Sequence, residues 1–315
     1  MTGVSDLPFR RAASRLGAAY VATEMVACDQ FSKGRPDVVR RAAVGEGLPL
    51  MVVQLVGRES SQVAAGAKLA AQAGAQIIDL NFGCPAKEVT GVLSGSALMR
   101  EPALAESLIA AAVDAVEIPV TVKMRLGWDD ASKNAPELAA RAEARGARAV
   151  TVHGRTRCQF YGGAADWSAV AQVKAAVSIP VVVNGDVTDG KRAREALAKS
   201  GADAVMIGRG GYGRPWIAAQ IDADLDGAPF EEPDLETRLA IALDHFRDSL
   251  AFYGERLGLK IFRKHLAAYI DNVPLPADPL ARRAARAALC RLDHPLAVER
   301  GLTALWRDPE GRLAA

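Results

Sequence analysis

The feature that most constrains the fold of this chain is a series of short, apolar, β-branched runs separated by Ala-rich segments with helical periodicity. Seven such runs occur, at residues 19–23, 50–56, 77–81, 120–125, 149–153, 181–184 and 204–208. Their apolar residues do not alternate with polar ones, which is typical of parallel strands covered by helices. Their ends fall about thirty residues apart, the size of a βα unit. The series predicts a (β/α)8 TIM barrel.

The series is one strand short of eight. The chain opens with MTGVSDLPFRRAASRLG, in which Asp6 is placed to cap a helix and Pro8 lies in its first turn. The sequence therefore begins in the loop after a strand. We expect either a native start that lies upstream and restores the first strand, or a first strand that has been lost, with a seven-stranded barrel as the remaining alternative.

A second region follows the barrel. Residues 226–234 are Pro-rich and acidic, and residues 235–308 have helical periodicity without strand-like runs. We predict a catalytic barrel domain over residues 1–225 and a small all-α domain over residues 235–315. Between residues 255 and 300, nine basic residues face five acidic ones, which fits a surface for a polyanion or a solvated helical face. The nine are Arg256, Lys260, Arg263, Lys264, Arg282, Arg283, Arg286, Arg291 and Arg300.

Composition narrows the class of protein. The 315 residues are 50% hydrophobic and 24% charged, with a net charge of +2, which excludes a disordered chain. Apolar runs are too short to span a membrane and no signal sequence is present, so we expect a cytoplasmic protein that binds no membrane. The four cysteines form no CxxC pair or Cys/His cluster, so we expect neither a metal site nor a disulfide framework. The default oligomeric state is a monomer.

Polar residues stand at the ends of the predicted strands, where TIM barrels place their chemistry. They are Gln54, Asn81 with Cys84, Lys123 with Arg125, His153, Asn184 with Asp186, and Gly208 with Arg209. The last two strands end in NGD (184–186) and IGRGG (207–211), and Gly-rich turns after these strands are the usual phosphate site of a barrel. We predict a phosphate site charged by Arg209; glycines that only permit tight turns are the alternative.

Lys123 is predicted to lie in the pocket, between Val122 and Met124. A buried Lys needs an anionic partner or loses its proton. It could therefore act as a Schiff-base nucleophile or as a cation beside an electron-rich ring such as reduced flavin. A phosphate site together with Gln54 and Asn184 favours flavin mononucleotide (FMN).

Cys84 lies in the turn NFGCP, directly after a buried strand. Three roles are open: a nucleophile paired with His153 for acyl transfer, a proton donor, or a small buried hydrophobic residue. The Gly and Pro that fix the turn favour a reactive role.

Several ordered motifs identify a family resemblance. DLNFGCPAKEVTGVLSGSALM, VTVKMRLGW, TVHGRTRCQFYGGAADW, PVVVNGDV and GADAVMIGRGGYGRPW resemble the tRNA-dihydrouridine synthases over nearly the whole chain, and FRKHLAAYI resembles the B-type bacterial branch. The resemblance implies that FMN, recharged by NADPH, reduces the C5=C6 bond of a uridine in the tRNA D-loop. The B-type branch implies position 17.

The resemblance also implies roles for residues. The flavin contacts fall on Met1, Thr2, Gln54, Lys123, His153, Asn184, Gly185, Asp186, Gly208 and Arg209, and the proton donor falls on Cys84. Asn81, Arg125 and His153 are placed to contact the uracil. Lys260, Arg263 and Lys264 are placed to contact tRNA.

Two rival functions remain. A barrel of the dihydroorotate or dihydropyrimidine dehydrogenase kind also pairs FMN with a Cys or Ser acid, but has no use for the helical domain. A non-catalytic RNA-binding protein would tolerate loss of Cys84, Lys123 or Arg209, all of which are present.

Overall fold

The computed structural model of the protein describes residues 3–45, 48, 50–273 and 278–307. Met1 and Thr2, two of the predicted flavin contacts, lie outside the described residues. The chain divides into two compact units: residues up to 10 with 18–210, and residues 11–17 with those from 211 onward. The division after Gly210 precedes the acidic linker. The assignment of flavin binding to one unit and tRNA binding to the other stays a prediction.

The first unit contains a parallel sheet that follows chain order. Its strands are β1 (Val21–Ala22), β2 (Val26–Ala27), β3 (Met51–Val56), β4 (Ile77–Phe82), β5 (Val120–Arg125), β6 (Ala149–His153), β7 (Val181–Asn184) and β8 (Ala204–Met206). The strand order is β1-β3-β4-β5-β6-β7-β8, and β2 also pairs with β3. Every pair is parallel, as expected when each strand is followed by a crossover helix.

Helices surround this sheet and continue into an all-α region. They are α1 (Leu7–Arg15), α2 (Cys28–Ser32), α3 (Pro36–Arg41), α4 (Ser60–Gln72), α5 (Lys87–Thr90), α6 (Pro102–Val113), α7 (Ala135–Ala144), α8 (Trp167–Ala176), α9 (Gly190–Ser200), α10 (Ile217–Asp226), α11 (Leu235–Tyr253), α12 (Glu255–Asp271), α13 (Pro279–Leu289) and α14 (Pro295–Arg307). Short 3-10 turns span Gly95–Arg100 and Arg209–Gly211. The predicted (β/α)8 architecture followed by an all-α region is confirmed.

Side-chain caps and buried apolar strands explain why these segments form. Val52, Val53 and Leu55 in β3 are fully buried, and so is Ile78 in β4. Asp166 and Asp189 cap α8 and α9 by accepting a hydrogen bond from a backbone N–H of the first turn. Asp6 caps α1 in the same way, as the sequence predicts.

The strand predicted over residues 19–23 is shorter in the structure and is followed by a second short piece, β2. The interruption lies at Thr23, whose hydroxyl accepts the backbone N–H of Gln54 at 2.9 Å. A side-chain oxygen therefore takes the place of a backbone carbonyl in the ladder, which ends β1. The last strand also ends early, at Met206, because a Gly-rich turn follows.

The second unit has its own apolar core, which includes Phe246, Phe262, Leu302 and Trp306. His245 and His265 are buried in it, with ring centroids 4.6 Å apart, and His245 Nδ1 lies 3.1 Å from the hydroxyl of Tyr269. Burial lowers the pKa of both histidines, that of His265 to about 3, so both are neutral packing groups at physiological pH. None of the described helices combines the length and the apolar character that crossing a membrane requires.

Candidate active site

Strand register brings the predicted polar residues to one end of the sheet. Asn81 of β4 pairs with Lys123 of β5, and Arg125 of β5 pairs with His153 of β6. His153 in turn pairs with Asn184 of β7. Residues that are up to about a hundred positions apart in sequence therefore share one surface at the carboxyl ends of the strands, as predicted.

A chain of hydrogen bonds connects Asp79, Gln54 and Asn81. Gln54 Nε2 donates to Asp79 Oδ2 at 2.7 Å, and Asn81 Nδ2 donates to Gln54 Oε1 at 2.8 Å. The hydroxyl of Thr121 donates to the other oxygen of Asp79 at 2.7 Å. Asp79 is almost fully buried, and burial raises its pKa above the usual range despite these donors. The network fixes both side-chain amides in a single orientation.

The turn that carries Cys84 is held from both sides. Asn81 Oδ1 accepts the backbone N–H groups of Gly83 and Cys84 at 3.1 and 2.9 Å. The carbonyl of Cys84 accepts the hydroxyl of Ser96 at 2.8 Å. Burial raises the pKa of the half-buried Cys84 thiol, so the sulfur keeps its proton at neutral pH. The position suits a proton donor better than a thiolate nucleophile.

Lys123 lies beside Asn184, with Nζ donating to Oδ1 at 3.1 Å. Asn184 Nδ2 donates to the carbonyl of Met206 at 2.7 Å, which sets the amide so that its oxygen faces the ammonium. Burial lowers the pKa of Lys123 to about 8, and the charge of Asp79 opposes this shift. A buried ammonium whose hydrogen-bond acceptor is a neutral amide is well suited to an electron-rich ligand.

His153 is neutral in this environment. Burial lowers its pKa to about 2, and the positive charges of Lys123, Arg125, Arg155 and Arg209 act in the same direction. Nη1 of Arg155 lies 3.3 Å from His153 Nε2. Because the imidazole carries no charge, it can donate or accept a hydrogen bond but cannot supply a second cation.

Arg155 and Asp186 form a buried ion pair beneath the turn after β7. Nη1 and Nη2 of Arg155 donate to the two carboxylate oxygens at 3.0 and 2.7 Å, and Arg155 is 2% exposed. The N–H of Ala165 donates to the same carboxylate at 2.8 Å. Burial alone would raise the pKa of Asp186, but the Arg155 and Ala165 hydrogen bonds hold it below its usual value.

Gly185 occupies a position that no side chain fits. Its φ is +111°, and a Cβ built there would lie 2.8 Å from Cδ2 of His153 and 2.9 Å from Cβ of Ala165. Next to it, Asp186 also has a positive φ, +56°. Gly208 precedes the Arg209–Gly211 turn. Arg209 is half exposed and lies 3.8 Å from Asp186, a distance that leaves its guanidinium able to bind an anion.

Arg125 donates hydrogen bonds to backbone carbonyls of two loops. Nε donates to the carbonyl of Gly83, and Nη1 donates to those of Thr156 and Phe160, each at 2.8 Å. The guanidinium therefore ties the turn of Cys84 to the segment 154–163 that follows β6.

Lys260, Arg263 and Lys264 lie on α12 of the second unit. Lys260 and Lys264 are exposed and one helical turn apart, so they share a face. Arg263 differs from them: it is half-buried, and Nη2 donates to the carbonyl of Leu292 at 3.4 Å.

Two residues of the site were missed in the sequence analysis. Asp79 lies within the apolar run IIDLN and Arg155 within HGRTR. A carboxylate at a buried strand position is an available signal, because such a group needs partners. The signal for Arg155 is weaker, since a loop arginine is usually exposed.

The site as a whole is electropositive. Lys123, Arg125, Arg155 and Arg209 surround His153, and Asp186 is engaged by Arg155. This arrangement can bind an anionic ligand at the strand ends, with a protonated thiol on the turn after β4.

Comparison with known proteins identifies the family of this chain. The family model described as "Dihydrouridine synthase (Dus)" matches residues 1–289. A "Probable tRNA-dihydrouridine synthase" from Rhodobacter capsulatus is 53% identical over 279 residues, which are 88% of this chain and 86% of the relative. A "tRNA-dihydrouridine synthase B" from Pseudomonas putida is 44% identical over 276 residues, or 87% and 82% of the two chains.

Solved structures show the same fold at low sequence identity. Histamine dehydrogenase from Rhizobium sp. 4-9 is 13% identical with a TM-score of 0.55, and the match covers 78% of this chain and 46% of that one. An amine oxidase, HisD, from Pseudomonas geniculata N1 is also 13% identical, with a TM-score of 0.54 over 71% and 45% of the chains. The resemblance inferred from the sequence motifs is confirmed: the chain belongs to the dihydrouridine synthase family.

Proposed function

We propose that this protein is a tRNA-dihydrouridine synthase that uses FMN and NADPH to reduce the C5=C6 bond of a D-loop uridine. The observation that carries the proposal is the arrangement of a protonated, half-buried Cys84 thiol on a rigid turn near the Lys123–Asn184 pair. An acid near these basic residues supports the proposal, because reduction of the C5=C6 bond needs a proton as well as a hydride.

The residues at the strand ends fit a flavin. Lys123 would offer an ammonium to the ring, and Gly185 lets the turn after β7 pack closely against His153 and Ala165 because it lacks a Cβ. Arg209 and the turn after Gly208 would hold the phosphate, and the remaining side-chain N–H of Gln54 would face the ring. The carboxylate of Asp186 accepts hydrogen bonds from Arg155 and Ala165. It would therefore support the flavin site by fixing the conformation of the turn after β7, without contacting the flavin through its side chain. Bound FMN, reduced by NADPH, would supply a hydride to C6 of the uracil.

Cys84 supplies the proton that the reaction needs. Once C6 has accepted a hydride, C5 of the uracil would be basic, and the thiol would transfer its proton to that carbon. A new C–H bond forms and the S–H bond breaks. The resulting thiolate, near Lys123 and Arg125, regains a proton from solvent. Because burial raises the pKa of the thiol, Cys84 is protonated again before each turnover.

Asn81, Arg125 and His153 orient the uracil. Asn81 uses Oδ1 and one N–H within the protein, which leaves one N–H for the base. Arg125 engages the carbonyls of its neighbours through Nε and Nη1, so a contact with the base would use Nη2. Neutral His153 can hydrogen-bond the uracil edge and stabilise the negative charge that develops on its carbonyl oxygen.

The tRNA is held mainly through its phosphates. Extruding a stacked uridine costs a few kcal/mol, which contacts elsewhere on the tRNA must offset. Lys260 and Lys264 present charge on one exposed face of α12, with Arg263 beside them. We place the reduced uridine at position 17, by the B-type resemblance, and the enzyme in the cytoplasm as a monomer.

The experiment that tests the proposal is mass spectrometry of dihydrouridine in unmodified tRNA after incubation with the protein, FMN and NADPH. New dihydrouridine at position 17, absent with Cys84→Ala although NADPH is still oxidised, is the expected result. Reduction of free uracil or an orotate-type pyrimidine but not of tRNA would overturn it in favour of a small-molecule oxidoreductase. Equal product from parent and Cys84→Ala would remove Cys84 from the mechanism.

A further inference from the structure

The segment 154–163, which follows β6, presents two aromatic rings to solvent. Phe160 is 46% exposed and Tyr161 is 47% exposed. Their ring centroids lie 4.8 Å apart in an edge-to-face arrangement. Two adjacent aromatic rings of this kind contribute less to the stability of a fold than buried ones, because nearly half of their surface stays in water.

The backbone of the segment is nevertheless fixed by hydrogen bonds from buried side chains. Arg125 donates to the carbonyl of Phe160, and Arg155 donates to those of Gly162 and Gly163 at 3.1 and 2.6 Å. Gln159 Oε1 accepts the N–H of Thr156 at 2.7 Å. Two buried arginines of the site therefore fix the position of the exposed rings.

The backbone at Phe160 is strained. Its φ is +54°, in the left-handed region that a bulky residue rarely adopts. Such strain persists only where surrounding contacts enforce it, and it is concentrated at functional sites. Here Arg125 holds the carbonyl of this residue, and the ring is partly exposed to solvent.

The two rings differ in their partners. The guanidinium groups of Arg209 and Arg125 lie 5.0 and 5.7 Å from the centroid of Tyr161. Tyr161 is thus anchored by cations that also line the candidate active site. The exposed face of Phe160 remains available to a ligand, beside a strongly basic pocket.

We infer that Phe160 is a stacking surface for an unpaired base of the tRNA, next to the uridine that enters the pocket. The inference rests on the proposed function. An exposed ring favours a flat apolar partner, and the arginines beside it favour a polyanion, a combination that matches single-stranded nucleic acid. A base that loses its neighbour when the uridine is extruded recovers a stacking partner on Phe160.

The test compares variants that separate the ring from the backbone. Phe160→Asn removes the ring but tolerates the positive φ, and Phe160→Trp keeps a ring. Val39→Asn, at a residue of α3 that is 45% exposed, controls for loss of exposed apolar surface. With unmodified tRNA, Phe160→Asn should raise Kd and KM by about tenfold, as expected when base stacking is lost, and Phe160→Trp should restore both. NADPH oxidation without tRNA should be unchanged.

A fluorescent base gives a readout that a structural role would not move. tRNA carrying 2-aminopurine on either side of the target uridine should be quenched on binding the parent and Phe160→Trp, but less on binding Phe160→Asn. Parental affinity and quenching in Phe160→Asn, with active parent enzyme, would overturn the inference alone. A parent that makes no dihydrouridine in tRNA would instead overturn the proposed function.

Discussion

Arg155 donates two hydrogen bonds to the carboxylate of Asp186, at 3.0 and 2.7 Å, from a side chain that is 2% exposed. The same guanidinium holds the carbonyls of Gly162 and Gly163. A single buried residue therefore connects the turn after β7 to the segment after β6. The positions of both segments, which border the candidate active site, depend on Arg155.

Replacing Arg155 by Met should lower the free energy of unfolding by about 3 kcal/mol, because Asp186 is left without its main partner in a largely buried position. Arg141→Met is the matched control, since Arg141 also forms ion pairs, with Glu106 and Glu137, but is 39% exposed. The control should lose much less, because solvent screens its ion pairs. Urea unfolding measures both values, and equal losses would contradict the role assigned to Arg155.

Gly185→Ala should reduce flavin binding and lower the free energy of unfolding by about 3 kcal/mol, because the new Cβ meets His153 and Ala165 at a positive φ. Gly163→Ala separates the two causes. Gly163 has a φ of +64° with nothing within 4 Å of a built Cβ, so it should lose only about 1 kcal/mol. Thermal unfolding and flavin absorbance report the outcome; similar losses in both variants would show that contact with His153 is unimportant.

The stability of the flavin-free protein should rise with pH through the titration of Lys123. Burial lowers the folded-state pKa to about 8, from an ordinary value of 10.5. Below pH 8 both states are protonated and the full cost of burying the ammonium is present. Between about 8 and 10.5 the unfolded chain binds more protons than the folded one, so the free energy of unfolding increases with pH.

Lys123→Met removes this dependence. It should exceed the parent in stability at pH 7 by about 2 kcal/mol and lose that advantage as the pH approaches 10.5. Lys68→Met, at an exposed residue of α4, keeps Lys123 and should show the same pH dependence of stability as the parent. Urea titrations at several pH values give the comparison, and parallel curves for parent and Lys123→Met would refute the shift.

The cysteines should differ in their reaction with iodoacetamide at pH 7.5. Cys158 is exposed and should be labelled first. Cys84 should react slowly, because burial raises its pKa and little thiolate is present, and Cys28, whose pKa burial raises to about 12, should stay unlabelled. Peptide mass spectrometry gives the order. Cys84 reacting ahead of Cys158 would indicate a thiolate and would contradict its assignment as an acid.

Reversing two charges on α12 should weaken tRNA binding. Lys260→Glu with Lys264→Glu should raise Kd about tenfold and flatten the dependence of log Kd on log salt by about one to two units, because fewer counterions are released. Arg263 is left in place because it contacts Leu292. Lys68→Glu with Arg148→Glu changes the charge equally at exposed sites of the first unit. Filter binding measures both, and equal affinities in the two double variants would remove α12 from the tRNA surface.

Local patterns in the chain were sufficient to predict the parallel barrel, the order of its strands and the polar residues at their ends. A run of apolar residues indicates a strand. The first polar or Gly-rich position that follows the run indicates the carboxyl end of that strand. Cys84, His153 and Asn184 were found in this way, because each follows or ends such a run, and Lys123 was found as a charged residue inside one. Met1 and Thr2 remain predictions.

The partners of these residues depended on packing between distant segments. The Lys123–Asn184 hydrogen bond joins positions 61 residues apart, and Arg155 reaches Asp186 across 31 residues. Whether an arginine binds a substrate, holds a neighbouring carbonyl or pairs with a carboxylate depends on which groups lie within about 3 Å of it. Spacing in sequence carries no such distances, so the tie made by Arg125, the buried Asp79 and the exposed ring of Phe160 became visible only once the strands and loops were assembled.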